Sequence, residues 1–64
     1  MNNIEAERAR NLMTKGQLAE KLGVSTKTLK AYSLGINPIP SDILIKMSKL
    51  FNRSVDYLLG LSVA

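Results

Sequence analysis

Apolar residues recur along this chain at the three- and four-residue spacing of amphipathic helices, and the breaks in that spacing divide it into five segments. Ile4 to Leu12 is rich in helix formers, with Glu5 and Glu7 early and Arg8 and Arg10 late, the order a helix dipole favours. Thr14 reads as the cap of a second helix, with Gln17 as its capping-box partner, an inner stripe of Leu18, Ala19 and Leu22, and Gly23 as its stop. Ser25 caps a third helix from Thr26 to about Leu34, and Gly35 ends it. Pro38 and Pro40 make Gly35 to Pro40 a loop. A fourth helix runs from Ser41 or Asp42 to about Phe51, with Ile43, Leu44, Met47, Leu50 and Phe51 at helical spacing. Asn52-Arg53 breaks it. Ser54 caps a short fifth helix with Val55, Leu58 and Leu59 inward and Gly60 as its end, and Leu61 to Ala64 is a short tail.

The pair formed by the second and third helices carries the functional signal. Only Gly23-Val24-Ser25 joins them, and a turn so short forces a steep crossing, as in a helix-turn-helix. Small Ala19 suits the contact at the crossing, Gly23 suits a left-handed backbone, and Val24 plugs the space between the helices. On the third helix Thr28, Leu29 and Tyr32 share the inner side. Thr26, Lys27, Lys30, Ala31, Ser33 and Leu34 lie on the other. That outer side offers amines for guanine O6 and N7 and methyl groups for thymine. The first turns of the second and third helices present free N–H groups suited to phosphate. A polar outer face with two lysines is also what any solvated helix shows; the short turn with its glycine and apolar plug decides for the functional reading.

The totals narrow the alternatives. At 64 residues the sequence is read as one domain, 1–64, burying about 60% of the surface its unfolded chain exposes. There is no Cys and no His, which excludes disulfides, thiolate metal sites and the usual general base. Serines are present without a base to activate them, and Asp42 and Asp56 head helices as dipole partners. No enzyme, no metal and no cofactor is expected. Nine Lys and Arg against five Asp and Glu give a net charge of +4, which favours polyanionic partners. The opening MNNIEAERAR has no apolar stretch of a signal peptide, and no run approaches the roughly 20 apolar residues of a membrane span, so a cytoplasmic chain without membrane contact is expected.

Arg8, Leu18-Ala19-Glu20-Lys21-Leu22-Gly23-Val24-Ser25, Thr28-Leu29, Gly35, Ile39-Pro40, Asp42 to Met47, Phe51 and Ser54-Val55-Asp56-Tyr57-Leu58-Leu59-Gly60 together resemble the lambda-repressor-like, or XRE-type, helix-turn-helix family of phage and plasmid regulators. The resemblance covers about residues 4 to 61 and implies a compact all-α, five-helix domain. It also implies binding of a double-stranded operator, usually by a homodimer on a palindromic site, and a repressor that blocks polymerase is the expected function. Its base-reading positions match Thr26, Lys27, Lys30 and Ala31, and Lys15 matches a backbone-contacting one. With the outer face, this makes Lys15, Gln17, Ser25, Ser33, Asn37 and Arg8 the candidate phosphate contacts.

Four departures stand out. The family often has Gln at Lys15. Gly16 in the first turn should weaken the second helix by up to about 1 kcal/mol. Ser33 replaces a Glu that pairs with the arginine matched by Arg8, leaving Arg8 to turn toward phosphate or to pair with Glu5 or Glu7. Leu34 replaces a polar residue. Leu34, Ile36 and Ile45 lie off the core stripes. No small-molecule substrate is expected; scattered exposed apolar residues are ordinary, but they also motivate a competing reading, a protein-interaction module on the same fold around Leu34 and Ile36 that binds no DNA. Leu61 and Val63 are candidate dimer contacts, and Tyr32 and Tyr57 are expected to pack with a wet hydroxyl.

Overall fold

The computed structural model describes residues 2–62. Five α-helices and no strand form among them: α1 (Ile4–Arg10), α2 (Lys15–Leu22), α3 (Thr26–Ser33), α4 (Ser41–Phe51) and α5 (Val55–Leu58). This is the expected all-α architecture. None of these helices is long and apolar enough to cross a membrane. Met1 and Val63 lie outside the described residues, so the expectation for Val63 is not addressed by the structure.

Every helix stops by the same backbone device. A residue with left-handed backbone ends the last turn, and the next N–H bonds to the carbonyl five residues earlier. Leu12, Gly23, Gly35, Asn52 and Gly60 take the left-handed position. Met13 then bonds to Arg8, Val24 to Ala19, Ile36 to Ala31, Arg53 to Ser48 and Leu61 to Asp56. The first of these shortens α1 against expectation. The Asn11 side chain donates to the Glu7 carbonyl at 2.8 Å, and Leu12 turns out at φ 57° with its side chain 91% exposed. The helix therefore ends at Arg10, two residues before Leu12.

The side-chain caps are those expected. Thr14 and Gln17 form the reciprocal box, Thr14 Oγ1 accepting at 3.0 Å from the Gln17 N–H and Gln17 Oε1 at 2.8 Å from the Thr14 N–H. Ser25 and Ser54 each accept from the N–H three residues on. Ahead of α1 no side chain of the cap residue accepts from the helix, and the asparagine amides reach distant carbonyls instead. Asn2 donates its side-chain amide to the Tyr32 carbonyl at 2.8 Å, and Asn3 donates to that of Tyr57 at 2.6 Å.

Ile4, Leu18, Ala19, Leu22, Leu29, Tyr32, Ile43, Met47, Phe51, Tyr57 and Leu58 make one core, with Met13, Val24, Ile39 and Leu50 packed on its edge. The stripes expected for α2 and α3 are the ones buried, apart from half-buried Thr28. The expectation for α5 needs correction: Tyr57 and Leu58 are buried while Val55 and Leu59 are only half-buried. The cause is Glu7, which is 1% exposed. Its Oε2 accepts from the Tyr57 hydroxyl at 2.9 Å and faces Arg10 Nε at 3.2 Å, and its Oε1 faces Arg53 Nε at 3.5 Å. The Arg53 guanidinium lies 4.9 Å from the Tyr57 ring centre. Tyr57 is thus drawn inward by a buried carboxylate, and its hydroxyl is dry rather than wet. A carboxylate can be buried here because two guanidinium groups and a hydroxyl replace its water.

Two outcomes follow for stability. Glu7→Ala removes the acceptor of the Tyr57 hydroxyl and the counter-ion of two arginines that reach solvent, and it and Tyr57→Phe should each cost about 1–3 kcal/mol. Losses in denaturant below half a kilocalorie for both would show that water reaches the carboxylate. Leu12→Gly relieves a left-handed backbone at an exposed position and should stabilise by up to about 1 kcal/mol. A lowered melting temperature would contradict strain at that turn.

Candidate nucleic-acid interface

The corner between α2 and α3 is built by three residues. Gly23 adopts φ 73°, ψ 29°, a conformation that costs a side-chain-bearing residue about 1–2 kcal/mol. Val24 tucks against the core. The Ser25 hydroxyl accepts from the Thr28 N–H at 3.1 Å and donates to Thr28 Oγ1 at 3.0 Å. This pins the start of α3. Sequence reasoning did not mark Lys46, whose ammonium comes within 4.0 Å of where a Cβ on Gly23 would stand. It brings a cation to the C-terminal end of α2, the sign that end favours.

On α3, Thr26, Lys27 and Lys30 are exposed, whereas Ala31 and Ser33 are half-buried. The Ser33 hydroxyl donates to the Leu29 carbonyl at 3.1 Å, satisfied within its own helix. Lys15, Gln17, Ser25 and Asn37 are also exposed, although Gln17 and Ser25 already serve as caps. A cleft of about 160 Å³ gathers Lys15 from α2 with Thr26, Lys30, Ser33 and Leu34 at α3, and Glu5 of α1 closes its wall. Lys15, Thr26, Lys30 and Ser33 are thereby brought together, and Leu34 stands beside them. Ser33 also borders a larger cleft of about 780 Å³, which Asn37 lines from the loop before α4.

Of the alternatives open to Arg8, the pairing with Glu5 is the one present. Arg8 Nη2 donates to Glu5 Oε2 at 2.8 Å, and Nε lies 3.2 Å from both carboxylate oxygens. Nη1 donates to the Met13 carbonyl at 2.6 Å, tying α1 to the turn before α2. An acid one turn ahead on α1 therefore satisfies Arg8, and it borders the same cleft as Ser33. The spacing of three residues between Glu5 and Arg8 was the signal for it. The Arg8 hydrogen bonds hold the Glu5 carboxyl below its usual range, with Lys15 adding a smaller pull in the same direction. A carboxylate lowered by folding stabilises the fold above its ordinary value. That contribution is lost only as acidification passes through the lowered one.

The first turn of α2 contains Gly16, where an added Cβ would meet Thr14 Oγ1 at 3.9 Å, an ordinary contact. Gly16→Ala should therefore stabilise the protein by up to about 1 kcal/mol and raise its melting temperature. An unchanged or lower melting temperature would indicate that the capping box needs glycine there.

Comparison with known proteins agrees with this geometry. The family model described as helix-turn-helix matches residues 4–58. An uncharacterized HTH-type transcriptional regulator of Bacillus subtilis, YobD, is 38% identical over 50 residues, covering 78% of this chain and 45% of the relative. The HTH-type transcriptional regulator ImmR of the same organism is 40% identical over 47 residues, covering 73% of this chain and 37% of the relative. The chain thus spans less than half the length of these curated relatives. No solved structure matches it. With its five helices, its glycine corner and a match running from α1 into α5, the chain belongs to the XRE-type helix-turn-helix family.

Proposed function

We propose that this protein is a sequence-specific, duplex-DNA-binding transcriptional regulator that acts in the cytoplasm as a repressor and reads the major groove with α3. The observation that carries this reading is the exposure of Thr26, Lys27 and Lys30 on the helix that leaves the Gly23–Ser25 corner, beside Lys15. An α-helix fits the major groove, and lysines at its outer face can meet guanine edges or phosphate. Ala31 adds a methyl group for thymine. Lys15, Gln17, Ser25, Ser33 and Asn37 flank α3 as backbone contacts, with Arg8 behind them. The family and the names of its relatives favour a DNA-binding regulator. The protein binds as a homodimer, with two α3 helices entering successive major grooves about 34 Å apart.

A second reading is favoured by one observation. Leu34 and Ile36 are 63% and 69% exposed, and Leu34 borders both clefts. They would form a protein-binding surface in a molecule that does not bind DNA.

Selection of bound duplexes from a random pool, followed by fluorescence anisotropy across a salt series, separates the two. Specific binding that weakens steeply with salt supports the regulator. No binding at low salt sinks it and favours the protein-interaction reading. Replacing both Lys27 and Lys30 by Ala should cost a few kcal/mol of affinity, on the order of 1–3 kcal/mol per contact. The melting temperature should stay put, since both side chains are exposed.

A further inference from the structure

Two cations, Lys15 and Lys30, line the cleft between α1, the start of α2 and α3, and Arg8 is paired with Glu5, which lines it too. Glu5 is the one carboxylate lining that cleft among the described residues. It is half-exposed, so it faces the space that a phosphate would enter, and it occupies two guanidinium nitrogens of Arg8. Arg8's third nitrogen is bonded to the Met13 carbonyl, so with Glu5 in place all three nitrogens are engaged and only the second N–H of Nη1 and of Nη2 is left for a phosphate.

We propose that Glu5 is a positioning residue that holds Arg8 away from the DNA backbone and offsets the charge of Lys15 and Lys30, limiting the affinity of this surface for duplex DNA. The inference rests on the DNA-binding reading above and deepens it. A phosphate approaching the cleft meets a carboxylate first. The two anions compete for the same guanidinium, and a carboxylate held by three hydrogen bonds in the free protein is displaced only at a cost. Without that carboxylate, the local formal charge of the four groups rises from +2 to +3, and Arg8 keeps its Met13 anchor while Nε and Nη2 become available. This is a brake on binding built into α1, remote in sequence from the helix that reads bases.

Glu5→Gln tests it, because the amide keeps the shape and removes the charge. Anisotropy titrations with a mixed-sequence duplex and with a duplex selected from the random pool should both show several-fold tighter binding at low salt. The plot of log affinity against log salt should steepen by about 1, the value for one added phosphate contact. Asp56→Asn, on α5 away from this cleft, should change neither, which distinguishes a local effect from the general rise in net charge. Melting temperature is measured in parallel, and only a small shift is expected because the ion pair reaches solvent. An unchanged slope, or weaker binding by a folded Glu5→Gln protein, overturns the proposal and makes the Glu5–Arg8 pair a structural brace alone. Absence of binding by the unaltered protein would instead remove the regulator reading itself, and this proposal with it.

Discussion

Short helices can make a bundle only if the chain reverses sharply between them, and here that reversal depends on one backbone conformation used repeatedly. Each helix ends in a left-handed residue and a hydrogen bond reaching back to the carbonyl five positions earlier. The bond satisfies carbonyls that the helix end would otherwise leave open, and the left-handed residue turns the chain out of the helix direction. At Gly23 the same device does more. It turns the chain so tightly that only three residues separate the end of α2 from the start of α3, which fixes the angle at which the lysine-bearing face is offered. Glycine fills three of the left-handed positions and asparagine a fourth, both suited to it; leucine fills the other, where its side chain gains nothing from burial.

A second constraint holds the ends of the chain together. Glu7 sits in the core on α1 and takes its partners from its own helix, from the α4–α5 turn and from α5. With Asn3 bonded to the end of α5, it attaches the first helix to the last. The polar cluster accepts little latitude in geometry: a displaced α5 would take the Tyr57 hydroxyl from a core carboxylate and leave it short of a hydrogen bond. The apolar core around it tolerates more, since dispersion contacts fall off without a preferred direction.

The elements were legible because their punctuation is chemical. Thr14 with Gln17, Ser25 and Ser54 announce helix starts through hydroxyl geometry, and Gly23, Gly35 and Gly60 announce ends through φ. Leu12 was misread because nothing in a leucine signals a left-handed turn; the signal lay in its neighbour Asn11, whose amide closes the helix. Glu7 was overlooked as a core residue for a related reason. A carboxylate is buried only when its counter-ions arrive, and Arg53 and Tyr57 lie far along the chain, so no local pattern reveals them. Burial of Tyr57 over Val55 was hidden by the same partner. At the interface, the exposed lysines followed from helical spacing, and the Glu5 partner of Arg8 was one of several choices until the side chains were placed. Lys46 beside the corner depends on how α4 crosses α2, a tertiary fact with no trace in spacing.

The amides of Asn2 and Asn3 have a kinetic meaning. They join positions 30 and 54 residues apart in sequence, and the Glu7–Tyr57 bond spans 50. The α2–α3 hairpin, by contrast, closes over a three-residue loop. Because the entropy of ring closure grows with the logarithm of the enclosed length, the hairpin can form early from neighbouring contacts while the terminal clasp must wait for most of the chain to condense. Joining the two ends is then the more costly closure, and the α2–α3 corner, with its outward lysines, is the cheaper one.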